Sequence, residues 1–145
     1  NKSSDIENKL KIAGTPGTAS FTKAFIALPL SPGQWMLISE DGDPSSFATD
    51  VSKKIGESGY VSEQSDSRVC IRISGAHARD LMSRGCRLDL QPDSATVGFC
   101  AQTPMAQIGV LLHQVGDDPV YDLYVYAGFA KSFWKWLTHT AAQFS

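Results

Sequence analysis

No apolar stretch in this sequence approaches the roughly 18 residues of a membrane span. The longest, Ala24 to Leu30, is strand-sized and contains Pro29. The first residues lack the charged-then-apolar pattern of a signal peptide. Cysteine is scarce. Cys70, Cys86 and Cys100 are odd in number, stand 16 and 14 residues apart and form no CxxC. That excludes a disulfide framework and reads as reduced thiols in a cytoplasmic protein. A basic excess is missing as well. Thirteen Lys and Arg face fifteen Asp and Glu, a net charge of -2, which argues against a general nucleic-acid binder. GxxxxGK[ST], GxGxxG and GxSxG are absent, so no phosphate loop, dinucleotide fingerprint or nucleophile elbow is written into the chain. There is no internal repeat and no low-complexity tract.

What is present is globular: 145 residues, 42% apolar and 19% charged, one domain's worth of chain with enough apolar side chains for a full core. Asn1 to Gly17 is polar and ends in Gly14-Thr15-Pro16-Gly17, which reads as a flexible arm over 1–17 with no core of its own, followed by one domain over 18–145. Thr18 to Leu30 is strand material, Pro32-Gly33 is a turn, and Trp35 to Ile38 is a buried strand. Asp43-Pro44 is a helix start, with Phe47, Val51 and Ile55 on one stripe and Gly56 at the end. Tyr60–Ser65 and Arg68–Ser74 read as a hairpin around Asp66-Ser67. In its second strand Val69, Ile71 and Ile73 alternate with Arg68, Cys70 and Arg72. A short helix follows over Ala76–Arg84, with Gly85 as its stop. Three strands are expected near Phe99–Met105, Val110–Val115 and Tyr121–Tyr126, and a closing helix over Phe129–Gln143. Hairpins dominate, so the fold class is α+β, mostly antiparallel sheet with helices packed on one face.

The chain offers little for catalysis. His77, His113 and His139 are far apart and make no HxH or HExxH, so no metal-ligand spacing exists. A lone histidine of this kind is more often a surface or satisfied core residue. Cys70 and His77 can approach across a strand–helix turn, but Cys70 alternates with apolar residues in a strand, a poor place for a thiolate nucleophile. Asp117-Asp118 belongs to a turn and is expected to be solvated. Asp89 and Asp122 sit among apolar neighbours; either is a candidate site residue, with a buried acceptor for backbone N–H groups as the favoured alternative. No catalytic residue, bound cofactor or metal is expected in this chain.

The arginines are unevenly placed. All five, Arg68, Arg72, Arg79, Arg84 and Arg87, fall within twenty residues that hold one carboxylate, Asp80, a local charge of +4. A guanidinium fork bonds bidentately and desolvates more readily than an ammonium, so such a cluster suits an interface; an ordinary solvated face is the plain alternative. Trp134 and Trp136 are about 200° apart around the last helix, so one enters the core while the other is left to solvent or a partner.

Several segments, taken in order, resemble the sarcosine oxidase gamma-subunit family. Pro32-Gly33-Gln34-Trp35-Met36-Leu37-Ile38 is similar to its early "P-x-E-W-L-L-L" segment. Arg68 to Gly75 resembles its strand ending in Ser-Gly. Ala78-Arg79-Asp80-Leu81-Met82-Ser83-Arg84-Gly85-Cys86, followed by Leu88-Asp89-Leu90, resembles its "A-R-D-L-L-x-x-G-C" helix block, the most specific part. Gly98 to Thr103, Tyr121 to Val125 and Phe129 to Leu137 follow at matching distances. Two departures stand out: Asp93-Ser94-Ala95-Thr96 follows Pro92 where an aromatic is common, and Tyr126-Ala127-Gly128-Phe129 replaces an "R-S-F" element.

The resemblance implies a non-catalytic subunit of a heterotetrameric flavoenzyme that oxidises sarcosine to glycine, linked to tetrahydrofolate. It implies alpha and beta partner chains carrying FAD, FMN, NAD and tetrahydrofolate, and a delta chain carrying zinc. It also implies a fold like part of the folate-binding fold of aminomethyltransferases. Partner contacts are then expected from Arg68, Arg72, Arg79, Arg84, Arg87, Trp134 and Trp136, with no nucleic acid, no membrane and a cytoplasmic location. An autonomous folate or small-carboxylate binder is the second hypothesis, with the arginines on a glutamyl carboxylate and Trp35 on the pterin.

Overall fold

Two separate sets of apolar residues divide the chain, and each builds its own core. The computed structural model describes residues 1–144. It contains two compact units, Asn1–Ser65 and the chain from Asp66 onward, a different partition from the expected arm and single domain.

The first unit opens with helix α1, Lys2–Leu10, where an arm was expected. Asn1 caps it by accepting from the Ser4 N–H at 2.8 Å, and Lys11 closes it in the left-handed region at φ 58°. Ile6 and Leu10 are one helical turn apart and reach the core together with Ile12. Those apolar positions, diluted among lysines and carboxylates, are why the segment reads as polar yet has a face to bury. Lys9 Nζ donates to Ser58 Oγ at 2.9 Å and to the Ile55 carbonyl at 3.2 Å, fastening α1 to the end of the next helix.

Strands β1 (Ser20–Phe21), β2 (Ile26–Ser31) and β3 (Gln34–Ile38) form an antiparallel sheet in that order. The β2–β3 turn needs Gly33, whose φ is +77°. Helix α2, Pro44–Ile55, starts as the sequence indicates: Asp43 accepts from the Ser46 N–H at 2.9 Å and Pro44 takes the first helical position. Val51 and Ile55 bury, and the Phe47 ring tilts against Phe25 at 5.8 Å.

The second unit is a four-stranded antiparallel sheet of β4 (Arg68–Ser74), β5 (Cys100–Met105), β6 (Ile108–Gly116) and β7 (Val120–Tyr126), in the order β4-β7-β6-β5. The expected hairpin of 60–65 with 68–74 does not form. Residues 60–65 have no strand, and Tyr60 is fully exposed. The segment carries too few apolar residues to give a strand a face to bury. β7 offers Tyr121, Leu123 and Val125 instead, and β4 pairs with it along its whole length.

Helices α3 (Ala78–Gly85) and α4 (Ala127–Ala141) cover one face of this sheet. Ala78, Leu81 and Met82 of α3 and Phe133 and Leu137 of α4 share a core with Ile71, Ile73, Leu112, Tyr121, Leu123 and Val125. The molecule is therefore α+β with antiparallel sheets, as its hairpin-rich pattern implies. Helix α3 ends at Gly85, as expected, but without a left-handed turn: Gly85 is its last helical residue and the extended Cys86 follows. A Cβ there would come within 2.5 Å of the Trp136 ring, so its role is space. Among the described residues no helix is long and apolar enough to cross a membrane.

Candidate functional site

The five arginines do not make one patch. Strand alternation sends Arg68 and Arg72 to the sheet face opposite the helices, while Arg79 and Arg84 ride on α3. Four of the five are held by this chain's own groups. Arg72 forms a bidentate pair with Asp122, Nε to Oδ1 at 2.7 Å and Nη2 to Oδ2 at 3.0 Å. The Arg68 Nη2 donates to Tyr126 Oη at 2.9 Å, and its guanidinium lies 4.6 Å from that ring's centroid. Arg79 Nε donates to the Leu90 carbonyl at 2.8 Å. Arg84 Nη1 donates to Gln143 Oε1 at 3.0 Å and sits 5.2 Å from the Phe144 ring. Arg87 is exposed.

Pairing Arg72 with Asp122 also sorts the carboxylate candidates. Asp122 is 5% exposed and accepts a guanidinium fork instead of the expected backbone N–H groups. Asp89 accepts from the Gln91 N–H at 3.0 Å and from Ser94 Oγ at 2.6 Å. These bonds hold its carboxyl below the usual range, the Ser94 hydroxyl first. It shapes an exposed turn.

Strand register assembles a row that the sequence does not reveal. Cys100 on β5 lies opposite His113 on β6, His113 opposite Asp122 on β7, and Asp122 opposite Arg72 on β4. A cysteine, a histidine and a carboxylate thus cross the sheet in line. Only the alternation of each strand is legible beforehand; the register that aligns them is a tertiary property. The row has the residue types of a thiol catalytic site but the wrong electrostatics. Burial pushes the Cys100 thiol up to about 11. Burial also lowers the pKa of His113, opposed by the nearby Asp122 charge. At neutral pH both are uncharged, whereas an activated thiolate–imidazolium pair requires the reverse. His113 has no solvent-exposed surface and Cys100 only 1%, so no substrate reaches them. The row is a packed polar layer whose one full charge, on Asp122, is balanced by Arg72.

Cys70 and His77 go to different neighbours. Cys70 lies opposite Tyr124 in the β4–β7 ladder. His77 sits 3.5 Å from Asp80 and stacks on Phe144 at 5.4 Å. Among the described residues no group of three or more His, Cys, Asp or Glu could hold a metal ion. The two tryptophans separate as their spacing requires. Trp136 packs over Gly85 and beside Phe133, ring centroids 5.9 Å apart, while Trp134 is 54% exposed.

Set against known proteins, residues 14–143 match the family described as "Sarcosine oxidase, gamma subunit family". The chain belongs to the sarcosine oxidase gamma subunit family. A curated relative, the sarcosine oxidase subunit gamma of Corynebacterium sp. (strain P-1), is 28% identical over 117 residues, which are 80% of this chain and 56% of the relative. The chain therefore spans a little over half the length of that protein. A solved structure with the same fold is the heterotetrameric sarcosine oxidase from Corynebacterium sp. U-96 in complex with pyrrole 2-carboxylate; the TM-score is 0.88 at 20% identity, over 99% of this chain and 74% of that one. At that identity the likeness speaks for the fold. For this gamma-family chain, the block that carried the resemblance, Ala78 to Leu90, is α3 and the turn that Arg79 ties to Leu90. The signature residues there make a helix–turn joint.

Proposed function

We propose that this chain is the gamma subunit of a heterotetrameric sarcosine oxidase-type complex and that its role is structural, supporting assembly of larger catalytic chains. The observation that carries this reading is the family match over 14–143, nearly the whole chain. The chemistry agrees: the one Cys–His–Asp alignment is buried and uncharged at its Cys and His, and four of the five arginines are tied to groups of the same chain. Sarcosine oxidation to glycine, with its FAD, FMN, NAD and tetrahydrofolate, belongs in this proposal to alpha and beta chains, and zinc to a delta chain. This chain needs no cofactor of its own. Three free thiols, Cys70, Cys86 and Cys100, support a reducing, cytoplasmic setting.

Partner contacts are proposed at the exposed parts of the arginine and tryptophan set: Arg87, Trp134, the rims of Arg68, Arg72, Arg79 and Arg84, and the outer edge of Trp136. The autonomous folate or carboxylate binder is not favoured. Four of its five arginines are already held, and the Trp35 indole N–H donates to the Ala13 carbonyl at 3.3 Å. The test is co-expression with the large flavoprotein chains of a sarcosine oxidase. A stable complex that oxidises sarcosine, beside an inactive isolated chain, is expected. Turnover of sarcosine by the isolated chain, or failure to associate, would remove the reading.

A further inference from the structure

We propose that the flank of α4 centred on Trp134 is a docking surface for an acidic protein surface with an apolar recess. It rests on the subunit reading above and names the chemistry of the partner at that contact. Trp134 is a large apolar side chain left 54% exposed on a helix whose neighbouring stripe, Phe133 and Leu137, is fully used in the core. Around it on the same flank stand Ala130 and Lys131, at i−4 and i−3, and Thr138 at i+4. Ala130 and Thr138 are small, and the indole is left half exposed between them. Thr138 is already satisfied, its Oγ1 donating to the Trp134 carbonyl at 2.9 Å and to that of Lys135 at 3.2 Å. Covering this flank therefore strands no hydroxyl.

Charge selects the partner. Lys131 and Lys135 lie about 60° and 100° round the helix from Trp134, both on the side away from Phe133 and Leu137, and no Asp or Glu occurs after Asp122 in the sequence. The side chains that α4 itself places around Trp134 are thus cationic or neutral, which fits carboxylates rimming a recess that accepts the ring. Phe129 lies about 140° round the helix from Trp134 and belongs to another flank. An anionic membrane is the poorer match: two lysines fall short of the roughly four to eight cations that bind lipid surfaces, whereas a single buried tryptophan suffices as an interface anchor.

The experiment titrates the full chain into the co-expressed large chains of the proposed oxidase, by calorimetry, at about 50 and 300 mM salt. Trp134→Ala should weaken binding by about 30-fold. Lys131→Glu with Lys135→Glu should weaken it about tenfold at low salt and flatten its salt dependence. Circular dichroism and the thermal midpoint of each variant confirm that its fold is kept. A wild-type complex that Trp134→Ala leaves within twofold overturns the docking surface and spares the subunit reading. No complex with the wild-type chain removes both. Binding of the wild-type chain to vesicles containing phosphatidylserine, with no salt-dependent association with the large chains, overturns the acidic-protein assignment in favour of a lipid surface.

Discussion

Gly85 lies beneath the indole of Trp136, with no room for a methyl group between them. The helix end and the terminal helix are thereby locked at a separation only glycine permits. Gly85→Ala should destabilise the chain by about 1–3 kcal/mol, although alanine is the better helix former by about 1 kcal/mol. Urea denaturation measures it. Adding Trp136→Leu should make Gly85→Ala far less costly; equal cost in both backgrounds would mean the contact is not the cause.

Arg72 and Asp122 form the second such test. Arg72→Leu leaves a carboxylate 5% exposed without its fork. Buried pairs broken on one side cost about 3–5 kcal/mol; because the Arg72 side chain is 58% exposed, about 2 kcal/mol is expected here. Arg72→Leu with Asp122→Leu should recover most of that loss, read from the denaturation midpoint.

The two tryptophans should part company in stability. Trp136→Ala removes a ring packed against the core and should cost about 3 kcal/mol. Trp134→Ala, at an exposed site, should change the midpoint of the isolated chain by no more than about 0.5 kcal/mol. Matching losses would contradict the arrangement of α4.

Stability should fall on both sides of neutrality. The Cys100 pKa is raised in the folded chain, from 9.0 to about 11. Its stabilisation is therefore complete below pH 9 and lost as pH rises towards 11, about 3 kcal/mol in all. His113 is shifted the other way, down from 6.5, so its contribution holds above that value and is lost as pH falls below it. Chemical denaturation across pH 5 to pH 11 tests both arms (the pH range is about the span of these two titrations). Burial also raises the pKa of Tyr121 and Tyr124, so Cys100→Ser should remove the part of the alkaline decline that begins near pH 9 and leave the acid arm in place.

Much of the architecture was legible beforehand because it is local. Asp43-Pro44 and the Phe47–Val51–Ile55 stripe specify α2 within a dozen residues, and the alternation of Val69, Ile71 and Ile73 specifies β4. α1 is not legible in the sequence because its apolar residues are few and embedded among charges, so its burial depends on α2 being present to receive them. Sequence nearness favours 60–65 as the partner of β4, while the real partner, β7, lies some fifty residues away and wins by offering a full apolar face. The arginine cluster was visible as a count. Its division across the sheet, and the capture of Arg72 by Asp122, follow from register and could not be read from spacing. The same holds for the Cys100–His113–Asp122–Arg72 row, whose members belong to four different strands.

The strand order β4-β7-β6-β5 has a consequence for how the polypeptide is made. The contacts that close the first unit lie within the opening sixty-five residues, so that part can settle while synthesis continues. The second sheet is different: its earliest strand waits for its latest. Until β7 has cleared the ribosome, Ile71 and Ile73 have no neighbouring strand to shelter them, and a nascent chain stalled before Val120 would present those side chains to chaperones.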